Sequence, residues 1–267
     1  MDVRSHGGTD RTVVTAGWPG VRVRQMVLLV RPTARTIRWV ALLGGAVAAQ
    51  LVLWAGAGEL SNPGPVPLMP LRVAAVLMCV GAAFVLDDDA GTTVEPAVAS
   101  LLVRRGLRLL LAMPVMSAAW GVALWIASRL AASGQEIGPV VPRSLPAAAL
   151  TLEAAALLGV TLAASAVATR WLGHGKGGVA AGPTLLAFVM TMLSIGHYWT
   201  LFPDDATEPG WAAAHVRWAL TLAAAIIVLV GFSLDPARRS RILHGWHRPR
   251  TRGVARTASR APVGGKP

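Results

Sequence analysis

Long apolar runs separated by short segments rich in proline, arginine or acidic residues make up most of the chain. A helix needs roughly 20 apolar residues to cross a hydrocarbon core of about 30 Å. Six runs approach that length: 39–58, 68–86, 107–130, 145–169, 179–202 and 211–234. The first ends at Glu59, before a loop carrying Pro63, Pro65, Pro67 and Pro70. The second is the weakest, because Arg72 interrupts it and only 14 apolar residues follow. Arg72 is placed to snorkel from the helix end to the interface. The third contains Pro114, a kink that neighbouring helices accommodate in a membrane. The pattern predicts an all-α, polytopic membrane protein of about six transmembrane helices.

Composition agrees. Hydrophobic residues make up 54% of the chain and charged residues 14%, and the mean hydropathy is +0.55, above what a water-exposed surface allows. Ten Trp stand against four Phe and one Tyr. Trp39, Trp54, Trp171, Trp199 and Trp211 fall near the ends of apolar runs, where an amphipathic ring favours the headgroup boundary. The single cysteine, Cys79, excludes an intrachain disulfide framework and a Cys-based zinc site. Four Arg and no long apolar core precede Met26, so no cleavable signal peptide is expected.

The net charge of +12 raises nucleic acid and anionic lipid as partners, and the positions of the cations favour lipid. Seven Arg lie in the N-terminal arm, Arg104, Arg105 and Arg108 in the second loop, Arg170 and Lys176 in the fourth, and nine Lys/Arg after the sixth run. Only Arg72, Arg129, Arg143 and Arg217 fall on the other side. By the positive-inside rule both termini are cytoplasmic, and removing one span would scramble this asymmetry. The expected organisation is a basic arm over 1–38, a six-helix domain over 39–234 and a basic, disordered tail over 235–267 in a multi-pass cell-membrane protein. The tail reads as a topology signal lying on anionic lipid or as a partner site.

Motifs for catalysis are wanting. A phosphate-wrapping loop needs Gly, four residues, then Gly-Lys-Ser/Thr. Here Gly175-Lys176 is followed by Gly177, and Arg170 stands where the first glycine belongs. The six His are scattered without metal spacing. Asp204, Asp205 and Glu208 lie between Pro203 and Pro209 and read as a solvated turn rather than a metal site. The expectation is a non-enzyme with no metal and no cofactor of its own.

Glu153 is the most informative residue, eight positions into the fourth run and so roughly 12 Å into the bilayer. An ionised group there is costly and normally faces the bundle interior or a wet cavity. Gln50 reaches a similar depth in the first run. Glu153 is either protonated or hydrogen-bonded to Gln50, holding helices together, or part of a substrate or proton path. Ala155, Gly159 and Ala163 form a small-residue strip that admits a neighbouring helix.

Between the second and third runs, Pro96 followed by AVASLLVRRGLRLLL reads as a short amphipathic helix on the cytoplasmic surface. Arg104, Arg105 and Arg108 share one face of it. Before it stand Asp87, Asp88 and Asp89, at a helix C-terminus where the macrodipole disfavours negative charge.

At these residues the sequence resembles the membrane subunits of actinobacterial ABC exporters, the permeases of the type-2 ABC transporter class. The matching stretches are LDDDAGTT at 86–93, RRGLRLLLAMP at 104–114, LTLEAAALL at 150–158, GGVAAGP at 177–183, LFPDD and PGWAAAHVRW within 201–218, and DPARR at 235–239. The resemblance implies a six-helix half of a transport pathway, paired with a second permease copy and energised by a separate cytoplasmic ATPase subunit that binds the ATP. It also implies that Asp87, Asp88, Asp89, Arg104, Arg105 and Arg108 contact that ATPase. The competing expectation is an integral membrane anchor or assembly factor that recruits a soluble partner and transports nothing.

Overall fold

The structure is a computed structural model; it describes residues 30–31, 33–61, 68–87, 101–133, 145–173, 175–195, 201–203 and 209–234. All regular structure among them is helical. In chain order the helices are α1 (Trp39–Ala55), the short α2 (Ala57–Ser61), α3 (Met69–Ala82) continued by a 3-10 turn (Ala83–Leu86), α4 (Leu101–Ser133), α5 (Ala147–Leu172), α6 (Gly177–Ser194) and α7 (Trp211–Ser233). Five of these segments, α3 with its 3-10 turn and α4 to α7, are long and apolar enough to cross a membrane. α1 has 17 residues, at the lower limit for a span. The chain is a polytopic, all-helical membrane protein.

Departures from the sequence pattern have local causes. The first run breaks at Gly56, and the chain turns there into α2. α6 stops at Ser194 rather than continuing to 202; Leu201 and Pro203 are non-helical and buried. The expected surface helix is absent as a separate element among the described residues. Instead α4 runs unbroken for 33 residues through Pro114, about 50 Å at 1.5 Å per residue, well beyond an apolar core of about 30 Å. Its basic first turns extend the third span. Pro96 lies outside the described residues, as do the 235–267 tail and all but a few positions of the 1–38 arm.

α3 is the most buried of the five spans. It lies centrally, against α1, α4, α5 and α6, while α5 packs chiefly on α7 and α6. The α1–α3 crossing is a backbone contact. A Cβ on Gly45 would stand 2.7 Å from the Leu77 carbonyl oxygen, and one on Gly81 would stand 2.7 Å from that of Ala41. Close approach of this kind supplies van der Waals packing where lipid removes the hydrophobic drive between helices. Gly159 does the same for α5 and α7, with Ala225 and Leu222 3.2 Å from its missing Cβ. Of the expected interfacial tryptophans, Trp54 and Trp171 are exposed, Trp39 and Trp211 are partly buried, and Trp199 lies outside the described residues.

Two adjacent glycines give a test. Gly45→Ala should destabilise the detergent-solubilised protein by about 1–3 kcal/mol, the usual range for overpacking. Gly44→Ala, whose Cβ meets nothing within 4 Å, should leave the melting temperature unchanged or raise it. Thermal unfolding followed by tryptophan fluorescence reads both.

Candidate functional site

Two clusters of buried polar groups sit at opposite ends of the bundle. The first lies at the basic end, where α3 and α7 finish and α4 and α6 begin. Helix ends leave backbone N–H and C=O groups without intrahelical partners, and three charged side chains meet that need from a distance. Arg105 of α4 donates through Nη1 to the Phe232 carbonyl at 3.2 Å and to Ser233 Oγ at 3.2 Å, and through Nη2 to Thr169 Oγ1 at 2.6 Å. It thus places a cation at the C-terminal end of α7, where the macrodipole favours one. Arg108 donates to the carbonyls of Asp87 (2.5 Å) and Leu86 (3.5 Å), closing the end of the α3 segment, and to Thr36 Oγ1 at 3.0 Å.

Asp87 completes the set. It stands at the end of one helix but serves the start of another: its Oδ1 accepts from the Gly178 N–H at 3.0 Å. Lys176, the N-cap residue of α6, makes no side-chain cap, so the anion favoured at that N-terminus comes from 91 positions earlier in the chain. The sequence places Asp87 at a C-terminus, where it is disfavoured; the fold supplies the N-terminus that holds it. Only glycine fits this approach. A Cβ on Gly177 would lie 2.5 Å from Thr169 Cγ2 and 2.8 Å from both Asp87 Oδ1 and Ser165 Oγ, and one on Gly178 would enter the Phe84 ring.

The expectation of an exposed face joining Arg104, Arg105 and Arg108 is therefore corrected. Arg105 and Arg108 are buried, as is Asp87 at 1% exposure, and Arg104 is half-buried. Asp88 and Asp89 lie outside the described residues. Arginine at these positions satisfies several carbonyl and hydroxyl acceptors at once, which a planar fork of five donors does well.

The second cluster lies at the opposite end, within the first two turns of α3, α5 and α7. Glu153 sits six residues into α5, about 9 Å along the helix, nearer its end than its middle. It does not meet Gln50. Arg72 Nε donates to Glu153 Oε2 at 3.0 Å and Nη2 to Oε1 at 3.3 Å, a two-pronged pair between side chains 5% and 3% exposed. Nη2 also donates to the Pro203 carbonyl at 2.7 Å, and the guanidinium lies 5.3 Å from the centre of the Phe202 ring. Arg72 does not snorkel outward, because its counter-charge lies inward. That pairing is why the weakest apolar run is nonetheless the central helix.

His215 of α7 approaches the same carboxylate, with Nε2 3.4 Å from Glu153 Oε1. Nearby, Trp218 is fully buried, donates to the Leu201 carbonyl at 2.8 Å and meets Phe202 edge-on. Gln50 belongs elsewhere. Its Nε2 donates to the Ala119 carbonyl of α4 at 3.0 Å, and its Oε1 is buried with no hydrogen-bond partner.

Two cavities between the described helices are apolar. One of about 110 Å³ lies among α3, α4 and α5, lined by Cys79, Met116, Trp120 and Ala155 among others. Another of about 510 Å³ separates α6 from α7 beside Arg217. Neither is lined by Glu153. No group of three metal-ligating side chains occurs among the described residues.

No protein-family model, curated protein or solved structure matches the chain.

The ion pair predicts a definite pattern of stability. Glu153→Gln leaves Arg72 buried without its counter-charge and should cost about 3–5 kcal/mol, whereas the double variant Arg72→Met with Glu153→Leu should recover most of that loss. Denaturation of the purified protein in mild detergent checks both. Equal destabilisation by the single and double variants would show that the pair is not the source.

Proposed function

We propose that the chain is the non-catalytic membrane subunit of an ABC-type export system, spanning the cell membrane with its basic end and both termini in the cytoplasm. The observation that carries this reading is the attachment of α4. Its first turns are basic, extend past the length a bilayer requires, and are tied by Arg105 and Arg108 to the ends of α3, α5 and α7. A soluble motor pulling on the start of α4 would move three spans with it, which is what a subunit driven by a separate ATPase needs. The resemblance in 86–114 to type-2 exporter permeases supports the same reading. Because Arg105, Arg108 and Asp87 are occupied inside the bundle, their role in it is to transmit motion, with docking left to flanking residues. The transport path would form between this chain and a second permease copy.

A non-transporting membrane anchor is the second reading, and one observation favours it. Glu153, the residue best placed for a path, is held by Arg72, which also donates to the Pro203 carbonyl, and the cavities described above are apolar.

Purification of the tagged chain from mild detergent, with identification of what copurifies and an assay of its ATP hydrolysis, separates the two. The exporter reading expects an ATPase in the eluate. Arg105→Gln should then lower the ATPase rate at least about tenfold, a coupling loss of about 1.4 kcal/mol or more, without reducing insertion or copurification. Recovery of a non-ATPase partner, or an ATPase indifferent to Arg105, would favour the anchor.

A further inference from the structure

α6 and α7 each pack on α5 without packing on each other. The space between them is the cavity of about 510 Å³, well above the roughly 150 Å³ that admits a benzene ring. Its α6 wall runs from Phe188 to Ile195 and its α7 wall from Ala224 to Arg217. Each wall spans seven positions, about 10 Å along the helix, or roughly two thirds of one leaflet of a core about 30 Å thick. Because α6 ends where α7 begins, Ile195 and Arg217 stand at the outer end of the cleft and Phe188 and Ala224 at the inner end. The cleft opens towards lipid, since Ile195 and Leu220 on its walls are 39% and 65% exposed. Apart from Arg217, the described lining residues carry no charge, and the Thr221 hydroxyl is spent on the Arg217 carbonyl of its own helix at 2.9 Å.

From this arrangement we propose that the cleft binds an anionic phospholipid, its phosphate on Arg217 and one acyl chain laid between α6 and α7. Apolar walls ending in a single cation complement an amphiphile whose tail is hydrocarbon and whose head is negative. An unfilled space would cost the walls their dispersion contacts, and a chain supplies them. The guanidinium has five donors, so it holds phosphate oxygens alongside its contacts within the chain. A zwitterionic lipid brings its own cation to the phosphate and an anionic lipid does not, so Arg217 favours the anionic one. The long arginine stem lies along the apolar wall while its head reaches the headgroup level. The open side of the cleft leaves the second acyl chain in the surrounding bilayer. The site stands whether the chain transports or anchors.

The test uses the full chain in phosphatidylcholine vesicles carrying a trace of lipid with a photoreactive group midway along one acyl chain, the head being phosphatidylglycerol in one set and phosphatidylcholine in the other. Peptide mass spectrometry maps the crosslinks. The phosphatidylglycerol probe should label the 188–195 and 220–224 walls at least about fivefold more than the phosphatidylcholine probe, the preference that one arginine near a membrane surface gives. Arg217→Gln should bring the two probes level, and Arg217→Lys should keep the preference. Ala224→Phe, at an exposed position on the cleft wall, should fill the space and remove the label from both walls. Equal labelling by the two probes in the unaltered chain overturns the proposal, as does a preference that survives Arg217→Gln or a label that survives Ala224→Phe. Displacement of the label by added palmitate but not by unlabelled phosphatidylglycerol would assign the cleft to a free fatty acid and overturn it too. The comparison of probes and the phenylalanine variant decide the matter should Arg217→Gln fail to fold.

Discussion

Backbone groups at helix ends and ionised side chains cannot be left unsatisfied where water is scarce, and the bundle is organised around meeting that requirement internally. At the basic end the requirement is met by three charges borrowed between helices. Arg105 serves the end of α7, Arg108 the end of the α3 segment, and Asp87 the start of α6. Each has the sign that the macrodipole at its site prefers. Each also comes from a different element than the one it serves, so capping and tertiary packing are the same interaction. α4 through its arginines, and α3 through Asp87, hold the bundle's basic end in register.

At the opposite end the constraint takes another form. Arg72 and Glu153 are individually expensive to bury and jointly tolerable, because two hydrogen bonds and a third to the Pro203 carbonyl replace the water each charge gave up. Breaking either partner is therefore far more costly than removing both. His215 of α7 approaches the same carboxylate, its Nε2 3.4 Å from Glu153 Oε1. The two ends thus differ in kind: one is held by charges set against helix ends, the other by a charge pair between helices.

Between the ends, packing depends on what is missing from side chains. Gly45 and Gly81 let α1 and α3 touch through backbone, Gly159 lets α7 approach α5, and Gly177 with Gly178 lets α6 reach Asp87, Thr169 and Phe84. In lipid, such contacts replace the hydrophobic drive that assembles soluble bundles.

The sequence by itself determined the helical, membrane-spanning class, because runs of apolar residues near 20 long have few other uses. It also located the starts of α5 and α7 to within two residues and singled out Glu153 as an ionisable group facing the bundle interior or a wet cavity; the structure buries it. The sequence did not reveal its partner. Arg72 is 81 positions away and Gln50 had the more similar depth; only the rotation of each helix about its axis, decided by packing, turns Arg72 inward and Gln50 toward α4. For the same reason Asp87 read as a misplaced acid until α6 supplied an N-terminus, and Arg105 and Arg108 read as a surface patch until α5 and α7 met the first and the end of the α3 segment met the second. His215, one of six scattered histidines, offered no local signal at all. Periodicity and hydropathy report what each helix is, but which face meets which neighbour is settled by close packing among all of them, and the pairing of charges follows from that.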